Sequence, residues 1–198
     1  MRRAIALVAD DLTLSFESAA QTRRALKKFV DEQMQDGDLV GIIRTGAGVG
    51  ALQQFTNNKR QLYAGIERVK WNPRGLGRFS SFDPIEPTME ETRRRQGDPI
   101  VTKEDLKEEK DFQAGFSDFR ESVFTAGTLG AMKYVVNGMG ELPGRKSVVL
   151  FSDGLKILNR SDSGSFGATR VLDFLKNLVE EANRKSVIFY PMDARGLV

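Results

Sequence analysis

Acidic and hydroxyl side chains stand directly after the apolar runs of this sequence, where buried strands are expected to end. In an open α/β sheet, ligands bind at the carboxyl ends of the strands, near the point where the strand order reverses. Oxygen atoms of carboxylates and hydroxyls are the ligands that hard divalent cations prefer. We therefore expect cation chemistry at this edge of the sheet. The polar residues that follow the expected strands are Asp10, Asp11, Thr13, Ser15, Thr45, Ser152, Asp153 and Asp193.

The spacing of Asp11, Thr13 and Ser15 sends their side chains to one side of an extended turn, because alternate residues of an extended chain point the same way. One carboxylate and two hydroxyls can then face a common ion, with Asp153 approaching from the neighbouring strand. A divalent cation takes about six oxygen ligands, several of them water. This set of side chains leaves room for water and for one carboxylate of a ligand.

The chain of 198 residues contains neither cysteine nor histidine. These absences exclude disulfides, thiolate zinc sites, histidine-ligated metals and Ser-His-Asp catalysis. Lysine and arginine number 30 against 27 aspartate and glutamate residues, which gives a formal charge of +3. The basic residues are interleaved with acids, which is typical of solvated surfaces rather than of a nucleic-acid patch. We therefore expect no nucleic acid among the partners.

Apolar runs alternate with segments of helical spacing, which predicts an α/β fold with a doubly wound, mostly parallel sheet flanked by helices. Continuous apolar runs indicate buried parallel strands, and a weaker alternation indicates one edge strand. The predicted strands are 4–9, 39–43, 49–55 (the edge strand), 147–151 and 186–190. The predicted helices are 16–34, 59–69, 171–182 and a segment that begins at the capping box 102–105 and continues, with or without a break, to 136.

The stretch 71–112 interrupts this pattern and contains most of the prolines of the chain. We interpret the chain as a single domain over 1–198 with an irregular insertion at about 71–112. The pattern stops soon after the last predicted strand, so we expect a fold truncated at its C-terminus, with an exposed edge strand able to pair with a second copy. The sequence contains no stretch of transmembrane length and does not begin like a signal peptide.

The D-x-T-x-S pattern of Asp11, Thr13 and Ser15 resembles the D-x-S-x-S motif of von Willebrand factor type A domains. The Asp-Gly pair that begins at Asp153, directly after an apolar strand, and the order of the elements are also similar. The resemblance implies a Rossmann-like fold that carries a metal-ion-dependent adhesion site. The metal ligands that it implies are Asp11, Thr13, Ser15, Thr125 and Asp153.

Two residues compete for the threonine that completes the family's site. Thr125 has the spacing from Asp153 that bacterial members use, and Thr128 is the alternative. Asp10 is a secondary candidate ligand beside the motif. The sequence alone leaves the choice between the two threonines open.

Longer matches resemble the von Willebrand A-related proteins that are abundant in Acidobacteria. They comprise residues 10–16, 142–146, 151–154 and 190–197, which read DDLTLSF, LPGRK, FSDG and YPMDARGL. The resemblance implies a non-enzymatic adhesion module that uses Mg²⁺, or else Mn²⁺ or Ca²⁺, to engage an acidic side chain of a partner protein. It also implies that the full-length protein is secreted or located in the cell envelope.

The sequence departs from the family at Thr13, which replaces a serine, and at Leu12 and Leu14, which replace small residues. The leucines support a second interpretation, a metal-independent scaffold whose site is degenerate. A third interpretation is a Mg²⁺-dependent, receiver-like phosphoacceptor built on Asp10 and Asp11. It is less favoured, because the predicted third strand is followed by no aspartate and the last strand by no lysine.

Overall fold

The computed structural model describes residues 3–47, 55–72, 123–154 and 166–196. Its strands are β1 (Arg3–Ala9), β2 (Leu39–Arg44), β3 (Arg145–Ser152) and β4 (Val187–Asp193). They form one parallel sheet in the order β2-β1-β3-β4. This sheet confirms the predicted α/β fold, and each strand begins and ends within a few residues of an apolar run.

The strand order reverses between β1 and β3. The chain passes from β1 to β2 on one side and later returns to the other side of β1 to form β3. Ala9 lies beside Phe151 in this pairing, and the backbone amide of Asp10 donates to the Phe151 carbonyl over 2.9 Å. The residues that follow β1 and β3 therefore start from the same level of the sheet, where the sequence predicts a ligand site.

The described helices are α1 (Phe16–Lys28), α2 (Lys59–Glu67), α3 (123–140) and α4 (Phe166–Arg184). A π-helical turn, Phe29–Gln33, extends α1 close to its predicted end. Ser15 caps α1, because its hydroxyl oxygen accepts a hydrogen bond from the backbone amide of Ser18. The side chain of Asn58 caps α2 in the same way. Both helices thus begin where a capping residue satisfies free amides.

Helices bury both faces of the sheet, and β1 lies at the centre of both layers. Leu26 of α1 and Ile66 of α2 belong to one core, and Leu129 of α3 and Leu178 of α4 belong to the other. The side chains of β1 alternate between the two cores, with Ile5, Leu7 and Ala9 in the first and Ala4, Ala6 and Val8 in the second. Burying a Leu or Ile side chain completely contributes about 1.5–3 kcal/mol. This packing fixes the end of β1, from which Asp10 projects.

The second helix runs from the amino end of the sheet back to its carboxyl end. Before its start, Thr56 pairs antiparallel with Val40, near the beginning of β2. After its end, the guanidinium of Arg44, the last residue of β2, donates to the carbonyl of Arg68. The segment 68–72 therefore lies at the same edge of the sheet as the residues that follow β1 and β3.

Several predictions fall outside the described residues. They are the predicted strand 49–55 apart from its last residue, the insertion at 71–112 beyond its first two residues, and the helix start at 102–105. In the part of the chain that the structure describes, none of the helices is long and apolar enough to cross a membrane. Among the described strands, β4 pairs with β3 alone and forms an edge of the sheet.

Candidate functional site

The carboxylate of Asp10 lies at the centre of a group of buried hydroxyl side chains. Its Oδ1 accepts from Thr45 over 2.8 Å and from Thr128 over 2.7 Å. Its Oδ2 accepts from Thr13 over 2.7 Å and from Ser152 over 3.0 Å. A carboxylate offers about four lone-pair positions, so these donors match its full capacity. We call these five residues the Asp10 cluster, whose carboxylate is fully buried.

Four elements meet in the Asp10 cluster: the ends of β1, β2 and β3, and the helix α3. The loop after β1 folds back, since the amides of Thr13 and Leu14 both donate to the Asp10 carbonyl over 3.0 Å. Thr45 opens a 3-10 turn directly after β2, and Ser152 is the last residue of β3. Sequence reasoning noted Thr45 and Ser152 as polar residues after strands but did not place them in the site. The strand order brings both beside β1, which is the signal that joins them to Asp10.

Leu12 packs between the segments that supply two of these hydroxyls. A methyl group added at Gly46 would lie 3.1 Å from Leu12 Cδ2, and one added at Gly127 would lie 3.5 Å from Leu12 Cδ1. Each glycine is adjacent in sequence to a threonine of the cluster, Thr45 or Thr128. Leu12 therefore lies over the segments that supply Thr45 and Thr128, and this large side chain has a packing role here.

Asp11 is held by the turn that follows β2. Its Oδ1 accepts from the backbone amide of Gly46 over 2.6 Å and from the Thr45 hydroxyl over 3.3 Å. Its Oδ2 lies 3.6 Å from Arg44 Nε. Burial raises the pKa of the Asp11 carboxyl above its usual range, although the Gly46 amide and the Arg44 charge act in the opposite direction. Within the described residues, these hydrogen-bond and ion-pair partners belong to 44–46 and not to the other predicted ligands.

Asp153 follows β3 and faces the start of α1. Its Oδ2 accepts from the backbone amide of Ser15 over 2.8 Å. Its Oδ1 is buried and has no hydrogen-bond partner among the described residues. The guanidinium of Arg195, after β4, donates to Asp193, which raises the pKa of Arg195; the charge of Asp153 adds a smaller increase. A cationic side chain thus lies within electrostatic range of Asp153.

The two candidate threonines on α3 have different environments. Thr128 donates to Asp10 and belongs to the Asp10 cluster. Thr125, one helical turn earlier on the same face, is 1% exposed, and its Oγ1 has no hydrogen-bond partner in the described part of the chain. Thr22, on α1, is the other described residue with a buried hydroxyl in this state. Of the two candidate threonines on α3, Thr125 is therefore the one whose hydroxyl oxygen has no hydrogen-bond partner among the described residues.

We call Ser15, Thr125 and Asp153 the Asp153 rim. The structure joins two of the predicted ligands directly, Ser15 and Asp153. Thr125 and Asp153 each have a buried oxygen with no hydrogen-bond partner among the described residues. Thr13 lies in the adjoining Asp10 cluster, with its hydroxyl 3.0 Å from that of Ser152. The carboxylate of Asp11, another predicted ligand, is bound instead by the Gly46 amide and lies beside Arg44.

The donor set of this region suits a hard cation that binds hydroxyl oxygens. Within the described residues, no three acidic side chains converge as a metal-binding group, so the candidate ligands here combine carboxylate and hydroxyl oxygens. A hydroxyl whose proton is donated to a carboxylate keeps its lone pairs for another partner, and this is the state of Thr13 beside Asp10. Oxygen donors of this kind are compatible with Mg²⁺, Mn²⁺ or Ca²⁺.

Comparisons with known proteins do not identify the site. No family model, no curated protein and no solved structure matches the chain. The resemblance to von Willebrand factor type A domains stays a prediction from the sequence. The function therefore has to be inferred from the chemistry of the Asp10 cluster and the Asp153 rim.

Proposed function

We propose that the chain is a non-enzymatic protein-binding module that holds a divalent cation, Mg²⁺ by preference, at the Asp153 rim and engages a carboxylate of a partner protein through it. The proposal is carried by two buried oxygens, Thr125 Oγ1 and Asp153 Oδ1, neither of which has a hydrogen-bond partner among the described residues. A buried polar atom without a partner costs about 1–3 kcal/mol. A cation bound between these oxygens would remove that cost.

The proposed ligands are Asp153, Thr125, Ser15 and Thr13. Asp10 positions one of these ligands, because its carboxylate accepts the proton of the Thr13 hydroxyl and orients that oxygen. A hard cation with these few protein ligands keeps positions for water and for an anionic oxygen from outside. A partner's Asp or Glu side chain supplies such an oxygen, and by resemblance the partner meets this domain outside the cell or at its envelope.

Thermal unfolding in EDTA and then in millimolar Mg²⁺, Mn²⁺ or Ca²⁺ tests the cation site. Binding to the folded state alone raises the midpoint by mass action. We expect a rise for the natural sequence, none for Asp153→Ala, and an unchanged rise for Asp173→Ala, whose exposed aspartate lies on α4. An equal rise in all three proteins would contradict the proposed site. No rise in any protein would favour the metal-independent scaffold.

A separate experiment tests the receiver-like alternative. The strand beside β1 is β3, so an aspartate, Asp153, does follow the neighbour of the strand that carries Asp10 and Asp11. The Asp10 carboxylate, however, is saturated by hydroxyls and covered by Leu12, which disfavours it as a Mg²⁺ ligand. Incubation with acetyl phosphate followed by intact-mass measurement decides the matter, and a phosphorylated Asp153 would replace the adhesion proposal.

We also propose that a second copy can pair with the edge strand β4. Ile188, Tyr190 and Met192 alternate along this strand and are 56%, 49% and 41% exposed. Unpaired edge strands with apolar side chains are prone to pair with another chain. Light scattering over a range of concentrations tests this, with Tyr190→Lys as the variant expected to be monomeric. A monomer at all concentrations would contradict the pairing.

A further inference from the structure

An exposed aromatic pair stands beside the Asp153 rim. Phe16 is 67% exposed, more than any other large apolar residue in the described part of the chain, and Trp71 is 37% exposed. Their ring centroids are 6.3 Å apart and the ring planes cross at 84°, an edge-to-face contact. Most of the Phe16 ring is therefore available to a ligand despite its contact with Trp71.

Two separate chain segments bring these rings to the edge of the sheet that carries the rim. Phe16 is the first residue of α1 and directly follows Ser15, whose backbone amide binds Asp153. Trp71 belongs to the segment after α2, which the bond from Arg44 to the Arg68 carbonyl holds at the end of β2. The pair is thus one residue away from a proposed cation ligand.

The charged side chains at this edge are paired with one another. Arg44 lies beside Asp11, and the guanidinium of Arg195 donates to Asp193. The attraction for an anionic group at the rim therefore has to come from the proposed metal ion. A ligand that places a carboxylate at the rim would bring the atoms next to that carboxylate onto Phe16 and Trp71.

We propose that Phe16 and Trp71 form the selectivity surface of this site and favour acidic peptide segments in which the liganding carboxylate is flanked by an aromatic side chain. This inference rests on the proposed cation site and specifies the partner's chemistry. Aromatic residues, Trp above all, are enriched among the residues that dominate binding energy at interfaces. Edge-to-face contacts with a ligand ring add to the area that the ligand buries.

Small carboxylates serve as probes of this surface. With saturating Mg²⁺, we expect 3-phenylpropionate to bind about ten-fold more tightly than butyrate, as measured by calorimetric titration. The ratio should fall to about two-fold or less in Phe16→Ala and in Trp71→Ala. The control is Tyr134→Ala on α3, which removes a ring that is 58% exposed away from the pair and should keep the full ratio.

The outcomes separate this inference from the cation site. Equal affinity for both probes in the natural sequence, or a ratio that survives in both aromatic variants, overturns the selectivity surface and leaves the cation site in place. A third outcome is a Phe16→Ala variant that has a lower free energy of unfolding but keeps the affinity ratio. In that case the aromatic pair only packs α1 against segment 68–72, and the selectivity surface is again overturned. Absence of any Mg²⁺-dependent stabilisation overturns the cation site, and this inference with it.

Discussion

The Asp10 cluster and the Asp153 rim are built from the same parts and differ in how completely their oxygens are used. Each combines a carboxylate from the end of a central strand with a threonine from α3. In the cluster, both oxygens of Asp10 accept two hydroxyl protons. In the rim, one oxygen of Asp153 and the hydroxyl of Thr125 are buried and have no hydrogen-bond partner in the part of the chain that the structure describes. The saturated group holds the fold together, whereas the unsaturated group has capacity for a ligand.

Residues that are close in sequence are divided between the Asp10 cluster and the Asp153 rim. Ser152 and Asp153 are consecutive, and the extended chain sends consecutive side chains in opposite directions. Thr125 and Thr128 are one helical turn apart on α3, yet Thr128 donates to Asp10 whereas the Thr125 hydroxyl has no hydrogen-bond partner among the described residues. A shift of one residue or one turn is thus enough to change a structural oxygen into a potential ligand.

The largest expected effect comes from removing the carboxylate of the cluster. Asp10→Ala should lower the free energy of unfolding by at least about 3 kcal/mol in EDTA, because four buried hydroxyls lose their acceptor at about 1–3 kcal/mol each. Urea unfolding measures this loss. Asp173→Ala removes an exposed aspartate on α4 and should change little. If Asp10→Ala were as stable as the control, the cluster would not have the structural role that its hydrogen bonds indicate.

The paired threonines provide a sharper test, because the same substitution should act in opposite ways. In EDTA, Thr128→Val should cost about 1–3 kcal/mol, since Asp10 loses a donor, whereas Thr125→Val should be neutral or slightly stabilising. In Mg²⁺, Thr125→Val should lose the rise in unfolding midpoint, and Thr128→Val should retain it. The reverse result would exchange the two threonines and restore the alternative ligand considered from the sequence.

A smaller effect is expected from the side chain that covers the cluster. Leu12→Ala should cost about 1–2 kcal/mol of unfolding free energy, because Leu12 is partly buried between Gly46 and Gly127. The rise in midpoint on addition of Mg²⁺ should be unchanged, since Leu12 packs beside Gly46 and Gly127 and is not among the proposed ligands. Loss of the Mg²⁺ response in this variant would mean that the two regions are a single unit.

The smallest expected effect is a surface control that is independent of both regions. Lys27 Nζ lies 2.7 Å from Glu67 Oε1, between α1 and α2, and this bond lowers the pKa of Glu67. A lowered folded-state pKa gives stability that is present above the unfolded value of about 4.3 and is lost as the pH falls through the folded value. Unfolding midpoints of the natural sequence and Glu67→Gln should therefore differ slightly at neutral pH and converge in acid. A difference that grows in acid would contradict the assignment.

The sequence predicted the sheet well, because strands covered on both faces are continuous apolar runs. It also placed the candidate residues at one edge of the sheet, because the carboxyl ends of β1 and β3 meet where the strand order reverses. It favoured Asp11 as a ligand and kept Asp10 as a secondary candidate, because local spacing does not reveal that the loop folds back onto the Asp10 carbonyl. The motif spacing assumes an extended turn and so favours Asp11, which the structure instead binds to Gly46.

The two leucines of the motif show a second limit of the sequence. Small residues are expected at Leu12 and Leu14 if the loop is open to solvent. Leu14 is 1% exposed in the core beneath α1, and Leu12 fills the space left by the two glycines. These packing partners come from distant parts of the chain, so a local pattern could not reveal them.

The hydrogen-bond partners of Asp10 lie 3, 35, 118 and 142 residues from it along the chain. The cluster can close only after β2, α3 and β3 have all docked on β1, which makes it a late event in folding, since long loops must be ordered first. Contacts that form after the transition state control the unfolding rate rather than the folding rate. We therefore expect the buried carboxylate of Asp10 to slow the unfolding of the native sheet and to change its folding rate much less.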